Sequence, residues 1–182
     1  HHFLGVTEDG LPAVFSTTGN PYPHIVLRGG KRPNYDAASI AFCEEALKTA
    51  RLPIQIIVDC SHGNSEKQPE RQGMVLKDLL GQIEKGNRSI RGFMLESHLE
   101  WGNQPMPKDP KDIRPGLSVT DACIDWPTTE ALLREAHDRT LNRLRTVAAP
   151  ILARIGAPAL AVDPDGWVAA VDSFSPRARL SL

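Results

Sequence analysis

The chain has 182 residues, 41% of them hydrophobic, and a net charge of -1 from 21 basic and 22 acidic side chains. That is enough apolar material for a sizeable core and too little charge bias for a nucleic-acid or acidic-membrane partner, so any basic group that matters must act locally. Cys43, Cys60 and Cys123 are odd in number and lack CxxC spacing, which argues against a disulfide framework or structural zinc and for a reducing, cytoplasmic setting.

No apolar run approaches the ~18 residues of a membrane span, and no signal-peptide pattern opens the chain. His1-His2 without a Met leads us to expect a natural start further upstream. Phe3-Leu4-Gly5-Val6 and Ala13-Val14-Phe15-Ser16, joined across Thr7-Glu8-Asp9-Gly10, have the pattern of a β-hairpin. Gly19-Asn20-Pro21 breaks the chain before a short apolar run, Ile25-Val26-Leu27, that closes on Arg28-Gly29-Gly30. Asp36 is placed to cap a helix from about Ala37 to Ala50, with Ile40, Cys43 and Leu47 on one face.

The next run, Ile56-Ile57-Val58, ends in Asp59-Cys60-Ser61-His62. Short, rich in Ile and followed by Gly63-Asn64, it fits a buried parallel strand better than a helix. Val75, Leu76, Leu79, Leu80 and Ile83 repeat at helical spacing, and Lys85-Gly86 supplies the stop. Phe93 to Leu95 is the third apolar run, closing on Glu96. Three such runs separated by helical patterns describe a βα repeat whose working groups collect on one rim.

Trp101 to Pro115, thick with Pro, Gly and Lys, predicts a long functional loop. Ser118 to Ile124 predicts a short strand or extended segment carrying Asp121, and Trp126 to Glu130 opens a helix through Leu132, Leu133 and Ala136. Beyond about His137 the character changes. Leu141, Leu144, Ala148, Ile151 and Ile155 form a helical seam that Pro150 should kink or restart. Asp163-Pro164-Asp165-Gly166, between Ala159-Leu160-Ala161-Val162 and Trp167 to Val171, marks a second hairpin. We therefore divide the chain into 1–136 and 137–182, the latter loosely similar to sensor domains of the PAS or GAF type.

His62, Glu96 and Asp121 sit at the C-terminal ends of successive runs, 34 and 25 residues apart, about one βα unit each. One imidazole and two carboxylates suit Mn²⁺, Fe²⁺ or Zn²⁺. The same letters are compatible with ordinary loop polars at Asp59 and His62 and a helix cap at Glu96. Strand alternation would put Asp59 and His62 on opposite faces unless the chain turns after Cys60. Arg28, followed by bare backbone at Gly29-Gly30 and then by Lys31, is good phosphate chemistry, and a solvated basic turn is the alternative.

Taken together, His24 to Lys31, Pro33-Asn34-Tyr35, Val58 to Ser65, Glu96-Ser97-His98-Leu99, Gly102-Asn103-Gln104 and Ser118 to Ile124 closely resemble class I DAHP synthase, in order from His1 to about Ala136. The resemblance implies a (β/α)8 TIM barrel and a metal-dependent, aldol-like condensation of phosphoenolpyruvate with erythrose 4-phosphate. That reaction is the first step of aromatic amino-acid biosynthesis. It implies that His62, Glu96 and Asp121 bind a divalent metal, Mn²⁺ or Fe²⁺ foremost, and that Arg28 binds the phosphoenolpyruvate phosphate. His62 and Asp59 are the catalytic candidates, Asp59 as a partner near the metal or else an ordinary strand-end polar, and Lys31 would add positive potential at the phosphate or else lie solvated. Phe3 and Gly5 fall where members regulated by aromatic amino acids make effector contacts, although Phe3 taken alone reads as core packing. His98 reads as structural, and Cys60 and Cys123 as small buried fillers.

The resemblance places the chain at about strands 4 to 8 of the barrel. A further cysteine ligand and the basic clamp of the substrate phosphates would lie in the first half, and the helix-plus-hairpin tail is unrelated to the family. A half-barrel leaves strand edges unpaired, so we expect a homo-oligomer or association with the missing half. Two readings follow: part of a DAHP synthase, or a non-catalytic barrel remnant fused to a sensor-like tail and serving interaction or small-molecule sensing.

Overall fold

The computed structural model describes residues 2–20 and 22–154. Contacts divide the chain into two units, His1–Thr129 and Glu130–Leu182. The first opens with an antiparallel hairpin of β1 (His2–Val6) and β2 (Pro12–Ser16), Leu4 opposite Val14 and Gly5 opposite Ala13. Gly10 supplies the positive φ of 78° that the turn needs. Phe3 stacks on Phe15 with ring centroids 5.6 Å apart. A Cβ at Gly5 would sit 2.8 Å from the Phe15 ring, so the glycine makes room for that stack.

β3 (Ile25–Leu27), α1 (Ala37–Thr49), β4 (Ile56–Asp59), α2 (Gln72–Glu84) and β5 (Ile90–Met94) follow as two consecutive β-α-β units. The strands form one parallel sheet in the order β3-β4-β5. The middle strand is the core: Ile56 and Val58 are completely buried, whereas Ile25 and Val26 on β3 and Met94 on β5 are exposed. Asp36 caps α1 by accepting from the N–H groups of Ala38 and Ser39, each at 3.0 Å. That helix buries Ile40 and Leu47 and leaves Cys43 half-buried. α2 buries Val75, Leu76, Leu79 and Leu80, each contributing about 1.5–3 kcal/mol.

Two boundaries depart from expectation for identifiable reasons. α2 begins at Gln72, directly after a 3-10 turn at Pro69–Arg71, whereas apolar periodicity starts only at Val75. β5 begins at Ile90, earlier than the Phe93 read from the pattern. A register shift pairs Ile56 with Ile90 but Ile57 with Gly92, and the intervening Arg91 breaks the apolar run.

The 118–124 segment bends at residues 119–121 instead of forming the expected strand, and is held by isolated bridges, Ser97 to Ile124, Gly102 to Cys123 and Asn103 to Ser118. The 101–115 loop is irregular apart from a 3-10 turn at Pro110–Asp112. α3 (Trp126–Arg154) runs on through Pro150 without a break and so across the 136/137 position. In its first part Leu132 and Ala136 are buried and Leu133 exposed; of the expected seam, Leu141 is buried and Leu144 exposed. Ile155, the second hairpin and the sensor-like pattern lie outside the described residues. No helix among the described residues is long and apolar enough to cross a membrane.

Candidate functional site

β4 delivers Asp59 at its last residue, and the chain then reverses. His62 takes a φ of 45°, and the N–H groups of Asn64 and Ser65 both donate to the Ser61 carbonyl, at 3.0 and 3.1 Å. This turn removes the strand alternation that would separate Asp59 from His62. Instead His62 Nδ1 lies 2.7 Å from Asp59 Oδ2, and Asp59 Oδ1 accepts the Ser61 N–H at 2.8 Å. With Nδ1 engaged, Nε2 is left to face Glu96 Oε1 at 3.2 Å. A carboxylate behind an imidazole fixes ring and tautomer so that the opposite nitrogen presents a lone pair.

Glu96 lies just past β5, where its carboxylate Oε2 accepts the Ser61 hydroxyl at 2.6 Å. Its backbone is held on both sides. The Glu96 N–H donates to Gln72 Oε1 at 2.8 Å, and its carbonyl accepts Gln72 Nε2 at 3.0 Å and the Ile124 N–H at 3.1 Å. The last of these ties β5 to the segment carrying Asp121. One ligand atom each from His62, Glu96 and Asp121 therefore lies within 4.8 Å of the others, all three half-buried. Two ligands about 2.1 Å from a shared ion sit roughly 3.0–3.4 Å apart at right-angle to tetrahedral spread. The 3.2 Å between His62 and Glu96 fits a cation. These residues can hold a divalent metal.

Arg28 leaves β3 beside this set. The Gly63 N–H donates to the Arg28 carbonyl at 3.0 Å, and Gly29 packs backbone-on-backbone against Gly63. A Cβ at Gly29, whose φ is 74°, would meet the Gly63 carbonyl carbon at 2.5 Å. Fully buried Asn64 joins the two strand ends: its Nδ2 donates to the carbonyls of Leu27 at 3.1 Å and Asp59 at 2.8 Å, while its Oδ1 accepts the Asn34 N–H at 2.7 Å. A cavity of about 540 Å³ opens here, lined by Arg28, Lys31, Arg32 and Lys67 together with His62, Glu66 and Asp121. Four cations against two carboxylates favour an anion. Glu66 is further engaged in an ion pair with Arg71. Of the four non-glycine residues with positive φ among the described residues, His62, Glu66 and Lys67 belong to this one loop. Such strain persists where the surroundings over-determine it, commonly at functional sites.

The other expected positions lie elsewhere. Phe3 and Gly5 belong to the hairpin and do not line the cavity. His98 contacts the Gly116 carbonyl through Nδ1, and its N–H donates to the Ile124 carbonyl at 2.9 Å, a tether for the 98–116 loop. Cys60 is fully buried, and burial, with the Asp59 charge adding, pushes its thiol up to about 12. Burial likewise raises Cys123, with the charges of Glu96 and Asp121 adding to it. Sequence reading assigned no role to Ser61, Asn64, Gln72, Arg32 or Lys67. Ser61, Asn64 and Lys67 follow closely on Asp59, where a polar cluster at a strand end was the available signal.

A βα rim that gathers one imidazole and two carboxylates beside a basic cavity defines an α/β protein with a metal-capable site. The DAHP synthetase I family matches residues 1–134, and the chain belongs to that family. It is 48% identical over 137 residues to the Tyr-sensitive phospho-2-dehydro-3-deoxyheptonate aldolase of Salmonella typhimurium, covering 75% of this chain and 38% of that protein. It is 47% identical over 135 residues to the Phe-sensitive enzyme of Escherichia coli, covering 74% and 38%. The solved phospho-2-dehydro-3-deoxyheptonate aldolase of Francisella tularensis superposes with a TM-score of 0.70 at 40% identity, over 79% of this chain and 41% of that one. The chain thus spans about two fifths of the length of these relatives.

Proposed function

We propose that this chain carries the metal-binding rim and part of the phosphate pocket of a DAHP synthase, which condenses phosphoenolpyruvate with erythrose 4-phosphate and releases phosphate. The observation that carries the reading is the convergence of His62, Glu96 and Asp121 within 4.8 Å, beside the cavity that holds Arg28. The exposed edges of β3 and β5 suit neighbouring strands of a (β/α)8 barrel, with this chain supplying its second half.

His62, Glu96 and Asp121 hold the metal, Mn²⁺ or Fe²⁺, which when bound supplies a Lewis acid for the aldehyde carbonyl. Asp59 keeps the His62 lone pair on Nε2. Arg28, with Lys31 beside it, grips the phosphoenolpyruvate phosphate; its planar fork matches two phosphate oxygens at once. Holding that substrate still makes attack by its enolpyruvyl carbon effectively intramolecular.

The test is Mn²⁺ binding followed by loss of the free-ion EPR signal, with phosphoenolpyruvate added and its ³¹P line recorded. Wild-type protein is expected to bind Mn²⁺ and broaden the line. His62→Ala is expected to lose the first effect, and Arg28→Ala the second alone. Equal Mn²⁺ binding by wild type and His62→Ala would overturn the metal assignment. Broadening retained in Arg28→Ala would overturn the phosphate assignment. No condensation is expected from this chain by itself; with the first half of the barrel restored, phosphate release that requires erythrose 4-phosphate and is abolished by a chelator identifies the reaction.

A further inference from the structure

We infer that Gln72 is a positioning residue for the metal set: its amide fixes Glu96 and, through a shared carbonyl, the segment that carries Asp121. The inference rests on the metal reading of the site. Gln72 is completely buried at the start of α2, a helix whose other inward residues include Val75, Leu76, Leu79 and Leu80. A glutamine among these is costly to bury unless both ends of its amide are bonded. Both ends are spent on one residue, since Oε1 accepts the Glu96 N–H at 2.8 Å and Nε2 donates to the Glu96 carbonyl at 3.0 Å.

The reason lies in the strand tips. Ladder bonding between β4 and β5 ends where the Cys60 N–H donates to the Met94 carbonyl at 2.9 Å, because β4 turns away at Ser61. Glu96 lies beyond that point, and its backbone there has no strand neighbour on the β4 side. Gln72 acts as that neighbour by offering an acceptor and a donor as an adjacent strand would. The same Glu96 carbonyl also accepts the Ile124 N–H, three residues past Asp121. One side chain therefore sets the height of Glu96 on the rim and the anchor of the next ligand segment. Sub-ångström placement of ligands is what outer partners of a metal site control.

Gln72→Met keeps the length and removes both bonds. Leu79→Ala, on the same helix and nearly as buried, serves as a destabilised control whose side chain makes no hydrogen bond to Glu96. Mn²⁺ affinity is read by EPR at a temperature where circular dichroism shows each variant folded. Gln72→Met is expected to bind Mn²⁺ about 10- to 100-fold more weakly. Leu79→Ala is expected to lower Tm yet stay within about twofold of wild type, because it leaves the ligand geometry alone. Gln72→Leu, which removes both bonds with a side chain that a buried helix face accommodates readily, covers the case in which the methionine variant does not fold; a weaker Mn²⁺ affinity is expected there too. Wild-type affinity in either folded Gln72 variant, or an equal loss in Leu79→Ala, overturns the inference. In that case wild type still binds and His62→Ala does not, so the metal reading survives. Wild type that binds no better than His62→Ala defeats that reading and this inference with it.

Discussion

Asp59→Asn isolates what the carboxylate behind His62 does. The side chain is buried and makes two contacts, accepting the Ser61 N–H on Oδ1 at 2.8 Å and meeting His62 Nδ1 on Oδ2 at 2.7 Å. Asparagine has nearly the same shape but can serve only one of these partners. If its oxygen stays on Ser61, its NH₂ faces His62 Nδ1, which must then accept, and the ring proton moves to Nε2. That is the atom 3.2 Å from Glu96 and the one a metal needs bare. If the amide flips, the conflict moves to the Ser61 N–H instead. Either way metal binding leaves one buried polar group unpaired, at a cost of about 1–3 kcal/mol. At about 1.4 kcal/mol per tenfold, Mn²⁺ binding should weaken roughly 5- to 150-fold, which brackets the about 10- to 100-fold typical of losing such a partner. EPR titration measures the loss, and ¹⁵N shifts of the His62 ring report which nitrogen carries the proton. Unchanged Mn²⁺ affinity with the proton still on Nδ1 would refute the reasoning.

Arg28→Lys should weaken phosphoenolpyruvate binding about tenfold or more, because an ammonium cannot make the paired contacts of a guanidinium; ³¹P titration tests this, and wild-type affinity in the lysine variant would count against it. Gly29→Ala drives a methyl to within 2.5 Å of the Gly63 backbone at a φ of 74° and should cost at least about 1–3 kcal/mol in urea unfolding; a cost below a few tenths would show that the two loops separate freely. Cys60, with its thiol pushed up to about 12 by burial, stays protonated at pH 8. Iodoacetamide should therefore modify half-buried Cys43 first and reach Cys60 only in denaturant, as peptide mapping would reveal.

The Ile56–Val58 run was legible because a strand buried on both faces is nearly all apolar, and Ile56 and Val58 are core, whereas Ile25 and Val26 are equally apolar in sequence yet exposed. Asp36 was legible as a cap because an acidic side chain before an apolar-periodic run has few better uses. The turn at His62 was not. Left-handed backbone at a histidine has no sequence signature, unlike Gly10 or Gly86, whose positive φ matches the residue type. Gln72 was invisible for a different reason. Periodicity counts apolar residues, and a buried amide that replaces a strand neighbour looks like any surface glutamine until its partner, Glu96, is found 24 positions away. Arg32 and Lys67 likewise join the cavity only because the loops after β3 and β4 pack against each other.

That packing explains why the site is built on amides and hydroxyls. Along β4 the apolar core stops at Cys60, and the buried residues that follow are Ser61, Asn64, Ser65 and Gln72. Each is a poor core residue unless bonded, and each is bonded: to Glu96, to Leu27 and Asp59, to the His62 carbonyl, and to Glu96 again. Apolar contacts hold helices on a sheet without much regard to angle. Hydrogen bonds weaken steeply as they bend, so they fix direction as well as distance. Three ligands arriving from separate segments need direction, because a shift of half an ångström at one tip costs metal geometry that no amount of buried leucine restores.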